Sequence, residues 1–254
     1  MSKYFEPEDF NRIPLSPHRT RFRTHNRKEG LLVSNRKKVC ILGAADRTYP
    51  LQPLEEDAWE LWSCNSLWHL GIDNNKRFRA DRWFELHPYW AQTGRDIAFL
   101  KACPIPVYTL TLCDDWAPTS VQFPIEQVLG MGYRKAFCST FAYQVALAIY
   151  HKFTHIRLRG VNMVAGREAL IERPNLLYWL GVAEGRGIHI DIDDPLVMQA
   201  PHAYGYQYTQ EGYWGQDVCR AVIPTLQLEV GKHIVTGGPE DEASPYQISD
   251  HYLH

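Results

Sequence analysis

The chain has 254 residues, 45% of them hydrophobic and 22% charged, with a formal net charge of −2, a composition that excludes disordered and fibrous classes and is enough to bury one sizeable core. So small a charge argues against a protein that simply coats nucleic acid, because such binding rests on many Lys and Arg contacts to phosphates. No apolar run reaches about 18 residues and the first 23 are polar, so neither a membrane span nor a signal peptide is expected.

In chain order, residues 1–38 carry Arg19, Arg21, Arg23, Arg27, Lys28, Arg36, Lys37 and Lys38, broken by Pro14 and Pro17. They read as a basic N-terminal arm, either simply solvated or touching phosphates, with DNA as the partner in the second case. The apolar run 39–43, VCILG, predicts a buried first strand that turns sharply at glycine. A second strand is expected over 58–64, ending at Asn65, and a third over 81–86, ending at His87 and Pro88. The spacing predicts a helix over 91–102, a strand over 107–112, a hydroxyl-capped helix over 139–150 and a strand over 155–161. Arg173 and Pro174 open a further helix through 183, closed by Gly185 and Gly187, before a last core strand at 188–192.

Strands alternating with helices imply an α/β, Rossmann-like, mostly parallel sheet with helices on both faces. Residues 39–195 form the nucleotide-binding domain in this reading. Residues 196–254 form a C-terminal extension on it, with an aromatic stretch at 202–214 and one or two added strands at 218–235. The six cysteines are widely spaced, with no zinc-type pairing, and read as reduced thiols of a cytoplasmic protein.

Ligands of open parallel sheets bind beyond the carboxyl ends of the strands, and five such ends here carry polar or small residues. Gly43, Ala44 and Ala45 permit close backbone approach, followed by Asp46 and Arg47; the loop is neither a dinucleotide fingerprint nor a P-loop. Asn65 and Ser66 follow the second strand, Asn65 serving either a turn or a hydrogen bond to a base or sugar. Glu85 and His87 place a carboxylate beside an imidazole, a candidate general base as well as a structural pair. Ser139 and Thr140 stand at a helix start, as caps or as an anion site. Gly160 and Asn162 end the next strand, and Arg167, Glu168 and Arg173 come after them, the arginines as candidate phosphate partners. Trp83, Tyr89 and Trp90 could line an acceptor pocket for a flipped base. The aromatic content, 13% with eight Trp, serves core packing as readily as ligand stacking.

The segment 138–163, CSTFAYQVALAIYHKFTHIRLRGVNM, resembles the bacterial sialyltransferases that build lipooligosaccharide, together with related Rossmann-like domains of Maf-type glycosyltransferases and phage proteins. There a Ser-led helix of small and apolar residues is followed by a strand ending in Gly-(Ile/Val)-(Asp/Asn). VCILGAA, LWSCNS and WFELHP fall in the family's order, so the resemblance spans about 39–192. It implies that Gly43 to Asp46 lie by the donor phosphate, Asn65 and Ser139 by the nucleotide, and Asn162 by its base or ribose. It also implies a nucleotide-sugar as co-substrate, with neither metal nor further cofactor. The family's first loop usually reads Gly-Asn-Gly-Pro-Ser, whereas this one reads Gly-Ala-Ala-Asp-Arg, and the family's paired tyrosines and late histidine have only Tyr178, His189 and His202 in the relevant stretch.

The resulting expectation is a glycosyltransferase with His87, or else His189 or His202, as base. Its acceptor is unknown, with hydroxymethylated bases of phage DNA in a host cytoplasm as one candidate. The alternatives are a nucleotide-sequestering protein without catalysis, and a hydrolase using Glu85, Asp46 or Glu168.

Overall fold

A computed structural model describes residues 23–26, 31–33, 35–45, 58–69, 80–164, 166 and 168–198. Asp46, Arg47, Arg167, His202 and the expected elements of the C-terminal extension lie outside the described residues. Within the stretch read as an arm, β1 (Arg23–Asn26) pairs antiparallel with β2 (Leu31–Val33).

The main sheet comprises β3 (Lys38–Leu42), β4 (Trp59–Cys64), β5 (Arg82–Phe84), β6 (Val107–Thr109), β7 (Ser120–Gln122), β8 (His155–Arg159) and β9 (His189–Ile192). Every pairing is parallel, in the spatial order β7-β6-β5-β4-β3-β8-β9. From β3 the chain winds outward to β7, then returns to lay β8 on the other side of β3. That reversal is the topological switch point of a doubly wound sheet, where loops diverge and leave a crevice at the carboxyl ends. The α/β fold is therefore Rossmann-like.

Among the described residues, four helices accompany the sheet: α1 (Gly94–Ala102), α2 (Ile125–Leu129), α3 (Thr140–Tyr150) and α4 (Arg173–Gly185). α3 buries Ala142, Gln144 and every residue from Val145 to Ile149; a helix apolar almost all round belongs inside, here between the sheet and α4. One core joins Ile41, Trp62, Phe84 and Leu158 to Val145 of α3 and Trp179 of α4. The other face packs Cys40, Leu61 and Trp83 against Phe99 and Leu100 of α1. With helices on both faces, successive strand residues are buried alternately on opposite sides.

β4 is buried along its whole length although it contains Glu60. The charge is met by Arg82 of β5, whose Nε and Nη2 lie 3.0 and 3.2 Å from the two carboxylate oxygens, while its Nη1 donates to the Tyr108 hydroxyl at 2.8 Å. The guanidinium also lies 4.9 Å above the Trp62 ring. Burial opposes the Arg82 charge, but Glu60 and Tyr108 outweigh it and hold its pKa above the ordinary value.

Several bounds differ from those expected. α1 begins at Gly94 because Thr93 caps it in a reciprocal capping box with Asp96. The expected strands over 81–86, 107–112 and 155–161 shorten to their paired residues, since pairing ends where the chain turns out of the sheet. β7 and α2 were not expected at all. The thiols of Cys40, Cys64 and Cys103 are buried, and burial pushes Cys40 and Cys103 up to about 12.

Candidate functional site

The switch point is tight because β3 and β8 end in glycines. The Gly43 N–H donates to the Arg159 carbonyl and the Ala45 N–H to the Gly160 carbonyl, both at 2.8 Å. A Cβ on Gly43 would lie 2.2 Å from the Gly160 oxygen. The requirement at Gly43 is thus for space. At Gly160, with φ 67°, it is also for a left-handed backbone.

Beyond these glycines lies a cavity of about 570 Å³. Gly43, Ala44, Ala45, Gly160, Val161, Asn162 and Met163 form its floor, with Cys64, Asn65, Leu67 and His69 on the β4 side. Phe141 of α3 and Glu168 close the rest. Asn65 (φ 52°) and Met163 (φ 49°) both take the left-handed backbone. Asparagine tolerates that conformation and methionine does so at a cost, so strain is concentrated at this cavity. The Thr140 hydroxyl reaches the Asn65 side-chain oxygen at 3.5 Å, tying the α3 start to the strand end.

His69 and Glu168 line the cavity from different elements. His69 stacks on Trp68 with ring centroids 3.6 Å apart, and its Nε2 lies 3.6 Å from Asp96 Oδ1. Trp68 Nε1 donates to the same oxygen at 3.0 Å. Burial works to raise the Asp96 carboxyl, but hydrogen bonds from Thr93 and Trp68 and the field of His69 hold it below the ordinary range. Glu168 begins a π-helical turn, Glu168–Glu172, that leads into α4. Its carboxyl is raised by burial and by Glu172.

A second cleft, of about 640 Å³, opens at the ends of β5 and β6 and is lined by Glu85 to Tyr89 and by Thr109 to Trp116. Glu85 is nearly fully buried, and its Oε1 receives the His87 Nδ1 at 2.7 Å and the His87 N–H at 3.3 Å. With its proton on Nδ1, the half-exposed imidazole keeps a lone pair on Nε2. The hydrogen bond to Glu85 raises the His87 pKa against partial burial, and Glu85, Glu172 and Asp96 add to the rise. Glu172 ends the turn begun by Glu168, and Asp96 pairs with His69. His87 therefore feels the elements that border the first cavity.

Gly43, Ala44, Ala45, Asn65, Gly160 and Asn162 thus meet at one cavity, while Glu85, His87 and Tyr89 meet at the other. Ser139 is buried and spends its hydroxyl capping α3, accepting from Ala142 N at 3.2 Å. Ser66 has its backbone in the short turn Asn65–Leu67. Arg173 heads α4, outside the residues lining either cleft, and burial lowers its pKa. Trp83 requires a correction: it is fully buried, 4.7 Å from the Phe99 ring, and offers no face to an acceptor. Trp90 is exposed but does not line the second cleft, which takes Trp116 instead, 6.0 Å from Tyr89. His189 opens β9 and so lies at the amino end of the sheet, away from both clefts. Tyr178 uses its hydroxyl to accept the Arg134 N–H at 2.9 Å. His69 and Phe141 were missed as site residues, and Met163 was read only as part of the strand end that follows Gly160. The three residues between Asn65 and His69 give no local signal that the chain turns back into the cavity.

Among the described residues, no three His, Cys, Asp or Glu side chains converge to hold a metal ion, and no helix is long and apolar enough to cross a membrane.

No protein-family model matches the chain, and no curated protein does. Among solved structures, it is similar to the monofunctional α-2,3-sialyltransferase Cst-I of Campylobacter jejuni at 13% identity and a TM-score of 0.45, over 82% of this chain and all of that one. It is also similar to the sialyltransferase CstII of the same organism, in complex with cytidine-5′-monophosphate, at 14% identity and a TM-score of 0.39, over 63% of this chain and 80% of that one. The fold class rests on the chain's own sheet order.

Proposed function

We propose that this protein is a glycosyltransferase whose nucleotide-sugar donor occupies the cavity between the β3 and β8 ends. The acceptor hydroxyl lies at the second cleft and loses its proton to His87. In the transfer step the acceptor oxygen bonds to the anomeric carbon as the bond from that carbon to the nucleotide phosphate breaks. The phosphate keeps the electron pair, and the proton passes to His87 Nε2, while Glu85 orients the ring and favours the imidazolium.

The observation that carries this reading is the site's position: a cavity at the topological switch point, with a carboxylate–imidazole pair in a second cleft at the same, carboxyl end of the sheet. A thermal-shift panel of cytidine, uridine and guanosine nucleotides and their sugar esters is expected to raise the melting temperature with at least one base. Chromatography then follows transfer to a panel of hydroxyl acceptors. Absence of any shift across the panel would sink the proposal.

A second reading is nucleotide capture without catalysis, favoured by the placement of His87 in a different cleft from the donor cavity. It predicts that a bound nucleotide-sugar is recovered unchanged and that His87→Ala leaves binding and biological effect intact.

A further inference from the structure

We infer that His69, held against Asp96, supplies the positive charge that the donor phosphate meets in the β3/β8 cavity. This rests on the nucleotide reading above and names the phosphate partner that reading leaves open.

The first reason is a shortage of other cations. The N–H groups of Gly43 and Ala45 already donate to Arg159 and Gly160, so the small-residue loop does not cradle an anion with those groups. The Ala142 N–H at the start of α3 is taken up by Ser139. Among the described residues lining the cavity there is no Lys or Arg, and His69 is its one side chain able to become a cation. A transferring donor leaves charge on the phosphate as its bond breaks, and such charge is stabilised by a preorganised donor aimed at it.

The second reason is the way His69 is held. Trp68 lies flat against one face of the ring, and Asp96 faces Nε2. Asp96 is itself immobilised by the α1 capping box and by Trp68 Nε1. A carboxylate facing one nitrogen of an imidazole fixes the orientation of the ring. Protonated, the ring donates from both nitrogens. His69 keeps its proton through the transfer; the acceptor proton goes to His87.

The charged groups around His69 come from two elements. Asp96 and Arg95 belong to α1, Arg95 lying over the Trp68 ring at 5.3 Å. Glu168 lines the cavity from the turn before α4, and Glu172 of the same turn raises its carboxyl further. An ionised Glu168 opposes an anion, so the test must separate it from His69.

The test measures calorimetric affinity of the full chain for a nucleoside and for its 5′-methyl phosphodiester, between pH 5.5 and 8.5. The diester carries no proton that titrates in that range, so any pH dependence belongs to the protein. The parent is expected to prefer the diester at low pH by about tenfold or more, the worth of one charge-assisted hydrogen bond. That preference should fade as the pH rises, with nucleoside affinity flat. His69→Gln should remove the preference at every pH, and His69→Lys should restore it without pH dependence up to pH 8.5. Glu168→Gln and His87→Ala should both keep it. Circular dichroism melts establish that each variant is folded.

A preference that survives in His69→Gln overturns the assignment, as does one that disappears in Arg47→Ala while His69→Gln retains it. Loss of the pH dependence in Glu168→Gln alone overturns it equally. If the parent binds the nucleoside and diester equally at all pH, His69 is excluded and the nucleotide reading stands. If the parent binds neither, the proposed function falls.

Discussion

Replacing Gly43 with alanine places a methyl carbon 2.2 Å from the Gly160 carbonyl oxygen and 2.8 Å from Val161 Cγ2. A carbon and a carbonyl oxygen settle at about 3.3–3.6 Å, so the ends of β3 and β8 must part by more than about 1 Å. The first atom met is backbone, with no rotamer to yield. Two hydrogen bonds of 2.8 Å cross this gap, from Gly43 to Arg159 and from Ala45 to Gly160. Lengthened by that amount they leave the bonding range, at about 0.5–1.5 kcal/mol each. Overpacking adds about 1–3 kcal/mol, and the smaller backbone freedom of alanine in the unfolded chain returns about 0.4–1 kcal/mol. The net expectation is a loss of about 1–5 kcal/mol, a large part of the 5–15 kcal/mol or so that a domain of this kind holds. Urea denaturation at 25 °C measures it from the shift in midpoint at constant slope. Gly181→Ala is the control, since nothing lies within 4 Å of its added methyl on α4; it should stabilise by about 0.5–1 kcal/mol. A Gly43→Ala protein within about 0.5 kcal/mol of the parent would refute the close-approach argument.

Glu85→Gln removes the charge, and replaces the ionised acceptor with a neutral amide oxygen, at the partner that raises the His87 pKa. As a base His87 must be neutral, so parent activity should rise with pH through a value above the ordinary 6.5 or so, and the variant's rise should come at lower pH. The stabilisation that protonated His87 gives the parent is complete below the unfolded value and fades as pH climbs through the raised folded one. NMR titration of the His87 ring checks the shift, and an unmoved titration curve contradicts it. Asn65→Ala should lose about 1 kcal/mol because alanine resists the left-handed backbone, Asn65→Gly should recover most of it, and both should bind nucleoside about threefold to tenfold more weakly. Full affinity in Asn65→Gly would show that the amide serves the turn alone. Arg82→Met strands the Glu60 carboxylate in the core and should cost about 3–5 kcal/mol, most of it regained in the double variant Glu60→Leu/Arg82→Met; chemical denaturation of the three proteins distinguishes this from a simple loss of packing.

The strand and helix order was legible because its signals are local. VCILG at 39–43 is an uninterrupted apolar run ending in glycine, and STFAYQVALAIY at 139–150 opens on a cap and stays apolar around its circumference. Four strand ends carrying Gly43, Asn65, Glu85 with His87, and Gly160 were marked by the change from apolar to polar, and a parallel sheet brings all such ends to one side. The elements β7 and α2 escaped notice because three and five residues between and beyond Pro118 and Pro124 have too little length to show a period.

The sequence by itself determined the alternation of strand and helix, and with it the end of the sheet at which a ligand would bind. Only the tertiary structure decided how those ends divide between two clefts. It also put Trp83 into the core rather than a pocket, because a strand covered on both faces buries neighbours on opposite sides. It joined Glu60 to Arg82 across strands, and it brought His69 against Asp96 at the mouth of the switch point. Each of these depends on contacts between residues distant in the chain, and a periodic pattern read along one segment carries no information about which other segment will lie beside it.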